Sequence, residues 1–290
     1  MPWGVCECYV ISSVKGEKYP RHRWRGECRR STQKDCHSYS SLYFWVKMYL
    51  RALHTSPITV ENTDILAIID QYVETFHEWD ILAVTSKIVA ICEGSVSSLD
   101  TEKSSLIDLE ADAVLDVPNP YGVILTLKWG HLVASAGIDE SNGDGHFILW
   151  PRDSQASANR IREYLCQKFH LTNIGVIITD SITRPLRWWV TGICLAHSGF
   201  LALRDYRDTA DIFGRKLHFT QSNIADGLAA AAVLVMGEGD ECTPLAVLSE
   251  TSFVTFQDSN PTREELDSLR ISRTEDVYGS FLESEHWRVK

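Results

Sequence analysis

The run Ile174-Gly175-Val176-Ile177-Ile178-Thr179 constrains the fold most: it is short, apolar and rich in β-branched residues, and it stops at Asp180-Ser181. It is the clearest strand in the chain, and Asp80–Thr85, ending in Ser86-Lys87, reads as a second, buried one. Between and after them lie helical patterns. Ile65, Ile68, Ile69, Tyr72 and Phe76 recur at helical spacing behind a Thr63 cap, and Ala158, Ile161, Leu165 and Phe169 form one face of a helix from about Ser154 to Phe169. Ser222 caps a third helix whose Leu228–Met236 run is apolar and small, with Gly237 as its stop. Gly122–Leu127 and Leu132–Ala136 pair around Trp129-Gly130, and Leu245–Leu248 and Phe253–Phe256 read as short strands. Thr262-x-x-Glu265 has the form of a capping box, and Ser95–Ser105 reads as a polar loop. Strands and helices mix without regular alternation, which predicts a mixed α/β (α+β) domain.

The 290 residues carry 28 Lys and Arg against 39 Asp and Glu, a net charge of −11. That balance argues against a nucleic-acid binder with a general basic surface. Residues 1–47 hold nine of the basic and four of the acidic residues, so the body, residues 48–290, is far more acidic than the whole. The head reads as a basic, Cys-containing extension dispensable for folding, with the regular pattern starting at Met48. Zinc on Cys6, Cys8, Cys28, Cys36 and His37 is the weaker alternative, because no C-x2-C pair is present. No stretch reaches the roughly 20 apolar residues of a membrane span, and no secretory signal is legible. The expected compartment is the cytoplasm, with the body cysteines reduced and unreactive.

Three acidic loops end apolar segments: Ala136-Gly137-Ile138-Asp139-Glu140-Ser141-Asn142, Thr179-Asp180-Ser181 and Met236-Gly237-Glu238-Gly239-Asp240-Glu241. If Asp139, Asp180 and Glu238 converge, they make a hard-oxygen site suited to Mg2+ or Mn2+ rather than to zinc. Singly, each loop reads more readily as turns and caps than as metal ligands; three in one chain favour metal, and metal on carboxylates commonly serves phosphate. Arg184 and Arg187 around Pro185, and Thr85, Ser86 and Lys87 after the first strand, are candidate phosphate partners. Neither G-x-x-x-x-G-K-[ST] nor a strand-linked G-x-G-x-x-G is present. His131, His146, His170, His197 and His218 read as structural or surface residues. Trp188-Trp189 suits either packing or stacking on a flat heterocycle.

Ser86-Lys87-Ile88-Val89 with Glu93-Gly94, the AGIDESN run 136–142, Gly175–Ser181, Asp211 with Gly214-Arg215, and Met236-Gly237-Glu238-Gly239 occur in the order found in one family. Over residues 50 to 255 the chain resembles the deazaflavin coenzyme (factor 420-0) γ-glutamyl ligases. Its Leu149-Trp150-Pro151, Asp180-Ser181 and Pro185-Leu186-Arg187 variants resemble the branch assigned to folate metabolism.

The resemblance implies a two-lobed fold with mixed and antiparallel sheets, an intertwined homodimer, and a ligase that uses GTP or ATP. Such a ligase joins L-glutamate to a carboxylate of a folate-type acceptor or, alternatively, a deazaflavin-type one. It also implies divalent metal on Asp139, Asp180, Ser181 and Glu238. Nucleotide would lie against Ser56, Pro57, Ile58, Thr59, Thr85, Ser86, Lys87, Asn142, Met236, Gly237, Gly239 and Asp240, with Arg184 or Arg187 neutralising charge during transfer. No covalent protein nucleophile is required, and no nucleic acid or membrane partner is expected. The chain departs from the family pattern at Ile91, where a second Lys is usual, at Ser181 in place of Thr, and at Trp188-Trp189. The residues read alone also allow a metal-dependent phosphohydrolase or a non-catalytic nucleotide-binding protein.

Overall fold

A computed structural model of the chain describes residues 48–289, which form one compact unit. The basic head, with the alternative zinc site, lies outside the described residues. In chain order the elements are β1 (Tyr49–Leu53), α1 (Ile65–Tyr72), β2 (Ile81–Thr85), α2 (Ser86–Glu93), β3 (Val96–Ser98), α3 (Lys103–Glu110), β4 (Ala113–Leu115), β5 (Leu125–Lys128) and β6 (His131–Ala134). Then follow β7 (His146–Ile148), α4 (Ser154–Phe169), β8 (Gly175–Thr183), β9 (Val190–Ser198), β10 (Leu203–Asp205), β11 (Gln221–Asn223), α5 (Ile224–Met236) and β12 (Leu245–Ser249). The chain closes with α6 (Arg263–Ser268), α7 (Gly279–Leu282) and β13 (Trp287–Val289).

The main sheet has the order β1-β12-β2-β8-β9 and is mixed: β2 and β8 run parallel, the other neighbours antiparallel. Alternation along the strands divides its side chains between two cores. Leu82, Val84, Val176 and Ile178 face α1, α2 and α4 through Ile69, Val89, Ile161 and Leu165. Ile81, Ala83 and Ile177 face α5 through Leu228, Ala229 and Ala232. The small residues of α5 let it lie close on β9, and Gly192 is where the two meet. A Cβ there would stand 2.6 Å from the Ala229 carbonyl oxygen. A smaller antiparallel sheet, β13-β4-β5-β6, packs separately around Ala113, Leu115 and Trp287.

The mixed α/β expectation therefore holds, and several elements fall where the pattern put them. Trp129-Gly130, both at positive φ, make the two-residue turn between β5 and β6. Both halves of the Thr262/Glu265 capping box are made. Three expectations shift. The N-caps of α1 and α5 are Asp64 and Asn223, each one residue after the expected Thr63 and Ser222, and each accepting a backbone N–H. The polar stretch 95–105 is no loop but contains β3 and the start of α3, a helix whose one buried residue is Ile107. Phe253–Phe256 is not a strand; Phe256 makes a single bridge to Phe200. No helix among the described residues is long and apolar enough to cross a membrane.

Candidate active site

Parallel pairing of β2 with β8 sets Thr85 beside Thr179, so their C-terminal ends deliver Ser86-Lys87 and Asp180-Ser181 to one edge of the sheet. Crevices outside the carboxyl ends of parallel strands are the usual ligand sites of open α/β sheets. The end of α5 brings Gly237-Glu238 to the same edge. A cavity of about 430 Å³ opens there. Its lining includes Ser56, Pro57, Ile58 and Thr59 from the segment after β1, Thr85 and Lys87 from the β2–α2 junction, and Asn142, but not Asp139, from the first acidic loop. Asp180 and Ser181, and Met236, Gly237, Glu238, Gly239 and Asp240, complete most of it.

Hydrogen bonds join the three acidic loops. Lys87 Nζ pairs with Asp139 Oδ2 at 2.5 Å and donates to Ser141 Oγ at 3.2 Å. The Ser141 amide and hydroxyl turn back onto Asp139 Oδ1, at 2.9 and 3.0 Å. Asn142 Nδ2 donates to the Gly239 carbonyl oxygen at 2.9 Å, tying the first loop to the third, and Ser181 Oγ donates to Glu238 Oε2 at 3.2 Å, tying the second to the third. Thr85, the cap of α2, makes no side-chain capping bond, which leaves first-turn amides of α2 to meet an anion.

The carboxylates are not equivalent. Burial pushes Asp139 upward, but the bond and charge of Lys87 and the Ser141 donors outweigh it and hold the group below the usual carboxylate range. Asp180 goes the other way: burial raises it to about 6, against the Ser181 amide, the Trp150 indole N–H and the charge of Lys87. Glu238 is also raised, first by burial and then by Asp139 and Glu241, with Ser181 and Lys87 opposing. Among the described residues Lys87 is the cation that acts on all three acids; it holds Asp139 down but does not offset burial at Asp180 and Glu238.

Among the described residues no three His, Cys, Asp or Glu side chains stand close enough together to hold a metal ion as they are placed. The side chains of Asp139, Asp180, Ser181 and Glu238 nevertheless offer carboxylate and hydroxyl oxygens, which suit a hard divalent cation, and the carboxyls of Asp180 and Glu238 are raised above their usual range.

Other expected residues lie elsewhere. The Ser86 side chain is buried at the start of α2 rather than in the cavity lining. Arg184 and Arg187 sit outside the lining, in the β8–β9 turn, where the Arg187 amide donates to the Arg184 carbonyl oxygen at 3.3 Å. Ile91, in place of the usual second Lys, faces the cavity as an apolar wall.

Trp150 is the participant that residue types alone did not reveal. Its indole N–H donates to Asp180 Oδ2 across 30 residues of sequence. The ring is 2% exposed and held by Trp129, by His131 edge-on, and by the buried Lys128 ammonium, 5.4 Å from its centroid and paired with Glu110 at 2.6 Å. Gly137 makes room for it: at φ +73°, a Cβ would lie 2.2 Å from Trp150 Nε1. The only sequence signal was a Gly ahead of Ile138-Asp139 and an isolated Trp before a Pro.

The described cysteines Cys92, Cys166, Cys194 and Cys242 are free. Burial raises the thiols of Cys92, Cys166 and Cys194, which leaves them unreactive.

The sequence pattern of the F420-0:Gamma-glutamyl ligase family matches residues 54–250, a span that includes the whole cavity. The chain belongs to this family. Coenzyme F420:L-glutamate ligase of Methanopyrus kandleri is 32% identical over 248 residues, covering 77% of this chain and 94% of the relative. The protein of the same name from Natronomonas pharaonis is 34% identical over 236 residues, covering 72% and 90%. That from Halorubrum lacusprofundi is 31% identical over 230 residues, covering 71% and 88%. As a member of the γ-glutamyl ligase family the chain is a ligase. The folate branch finds no support in these relatives, all of which are named for the deazaflavin coenzyme. The motif variants at Leu149–Pro151 and Pro185–Arg187 therefore do not fix the acceptor.

Proposed function

We propose that this chain is a nucleoside-triphosphate-dependent ligase that joins L-glutamate to the carboxylate of a deazaflavin-type acceptor. The observation that carries the reading is the meeting of Lys87, Asp180, Ser181 and Glu238 at one cavity, with Asp139, outside its lining, paired to Lys87. A carboxylate is a poor electrophile, so its oxygen attacks the γ-phosphorus and the nucleoside diphosphate leaves. The amine of glutamate then attacks the acyl carbon, loses a proton and expels phosphate, forming the amide.

Both steps bring anions together and require positive charge and aligned donors. Lys87 and the first-turn amides of α2 receive phosphate oxygens. Asn142 holds the Gly239 loop against the nucleotide, and the segment 56–59 closes the opposite wall. Asp139, Asp180, Ser181 and Glu238 would hold Mg2+ or Mn2+, which neutralises phosphate oxygens when bound. GTP is the expected nucleotide, with ATP the alternative.

The reading extends to a homodimer. Ile212, Phe213 and Phe219, in the segment between β10 and β11, are 92%, 88% and 93% exposed, an apolar surface suited to a second copy. The main sheet and the small antiparallel sheet are the two lobes of the proposed fold, and residues 48–290 are the working domain. Incubation with GTP or ATP, Mg2+ or Mn2+, glutamate and either a deazaflavin precursor or a pteroate tests the proposal by product mass. Diphosphate-nucleotide release that ignores glutamate would instead indicate a phosphohydrolase.

A further inference from the structure

Beyond the cavity, the β8–β9 hairpin carries a feature the proposed chemistry does not use. From Asp180, paired with Ile193, the strands continue to Thr183, paired with Val190. Three residues of strand carry the hairpin about 10 Å away from Asp180. Its connection begins as a tight turn, with Pro185 second and Leu186 third at φ +59°, a position that glycine or asparagine normally fills. Trp188 and Trp189 follow, 79% and 58% exposed. Tyr121, from the segment before β5, meets both: centroid distances are 6.4 Å to Trp188 and 5.6 Å to Trp189, with the rings at 85° and 69°. The two indoles lie 5.4 Å apart at 53°.

Three aromatic rings from two separate segments thus gather at the surface while keeping much of their faces open to solvent. Tryptophan and tyrosine faces bind flat conjugated rings by offset stacking. In the same connection Arg184 and Arg187 make no ion pair among the described residues. The guanidinium of Arg187 donates to the backbone of its own turn, at Leu186 O. A guanidinium is a planar donor for carboxylate or phosphate oxygens. Aromatic faces in the same connection as uncompensated guanidinium groups complement a ligand that joins a flat heterocycle to an acidic arm, and Asp180 lies three strand residues back along the same hairpin.

We infer that Tyr121, Trp188 and Trp189 form the recognition wall for the heterocycle of the acceptor, with Arg184 and Arg187 guiding its acidic arm toward Asp180. This rests on the ligase reading for the identity of the ligand but not for its ring chemistry. Deazaflavins and pteridines share the flat ring, and the wall accepts either by stacking.

The test uses the full chain and two probes, a 5-deazaflavin and pteroic acid, titrated by calorimetry and by quenching of tryptophan emission. Saturable binding of one probe names the ring. Trp188→Ala and Trp189→Ala should each weaken it roughly tenfold, while Trp188→Phe and Trp189→Phe recover most of the loss. Nucleotide affinity should stay within twofold in all four variants. In turnover, the alanine variants should raise the acceptor KM by a similar factor with little change in kcat.

Binding of neither probe, or binding unchanged in both alanine variants, overturns the inference. So does a drop in molecular mass of these variants with unaltered probe affinity, which would make the cluster a subunit contact. If the wild-type chain consumes no glutamate with any acceptor, the ligase reading fails, and the titration still decides the ring site.

Discussion

Replacing Asp180 by Asn should stabilise the metal-free protein while abolishing ligation. The carboxyl is raised from 3.8 to about 6 in the folded chain, chiefly by burial. A shift of about two units at about 1.4 kcal/mol each means that ionised Asp180 costs the fold up to about 3 kcal/mol at pH 7. The sign follows from the direction of the shift. Because the folded value lies above the unfolded one, stability from this group is complete below pH 3.8 and is lost as the pH rises through about 6.

Asparagine keeps an oxygen for the Trp150 indole N–H and removes the charge, but it adds an amide NH2 that needs its own partner. The expected net gain is therefore about 1–3 kcal/mol, or roughly 2–10 °C in Tm. Thermal or urea unfolding in the presence of a chelator, from pH 4 to 8, reads it directly. The advantage of Asp180→Asn should be absent near pH 4 and full above pH 7. Glutamate-dependent release of nucleoside diphosphate should fall to background in the same preparation. A variant that is less stable at pH 7, stabilised equally at every pH, or still active would refute the assignment of Asp180 as a functional acid held at a cost to the fold.

Gly137→Ala should lose both stability, by about 2 kcal/mol or more, and most ligation, because its Cβ would strike the indole that donates to Asp180; near-wild-type unfolding and turnover would show that Trp150 is not held as described. His197, 2% exposed, has its imidazole lowered to about 4 by burial, so it is neutral in the fold and costs stability as the pH falls from 6.5 toward 4. Wild type should lose about 3 kcal/mol more than His197→Leu over that window in urea titrations, and parallel pH profiles would contradict it.

What was legible in the sequence follows from which interactions are local. β8 shows because a strand inside a mixed sheet buries both faces, leaving an unbroken apolar run. The stop at Gly237 and the Thr262 capping box show because caps are written within four residues. The helix starts were displaced by one residue because Thr63-Asp64 and Ser222-Asn223 each offer two competent caps, and the backbone decides which one accepts. The stretch 95–105 looks like a loop in sequence because α3 buries little beyond Ile107 and so carries no apolar stripe. Phe253 and Phe256 looked like strand residues because apolar aromatics suit strands, but they pack against the α5 core without a ladder.

The acidic loops were legible for a related reason: carboxylates at the ends of apolar segments stand out against the runs that position them. Their interplay was not, because it depends on contacts between residues 30 to 97 positions apart, such as Trp150 with Asp180 and Asn142 with Gly239. Those contacts also change the meaning of the net charge of −11. A surplus of carboxylates would repel a triphosphate if they were spread evenly over the surface. Here Asp139 is spent on Lys87, while the carboxyls of half-buried Asp180 and exposed Glu238 are both raised above their usual range, so binding positive charge favours their ionised forms. Acidity of this kind favours a cation, and the cation in turn favours phosphate. The acids therefore make an anion site once a cation joins Lys87, and the same arrangement explains why removing one of them should firm the fold as it stops the chemistry.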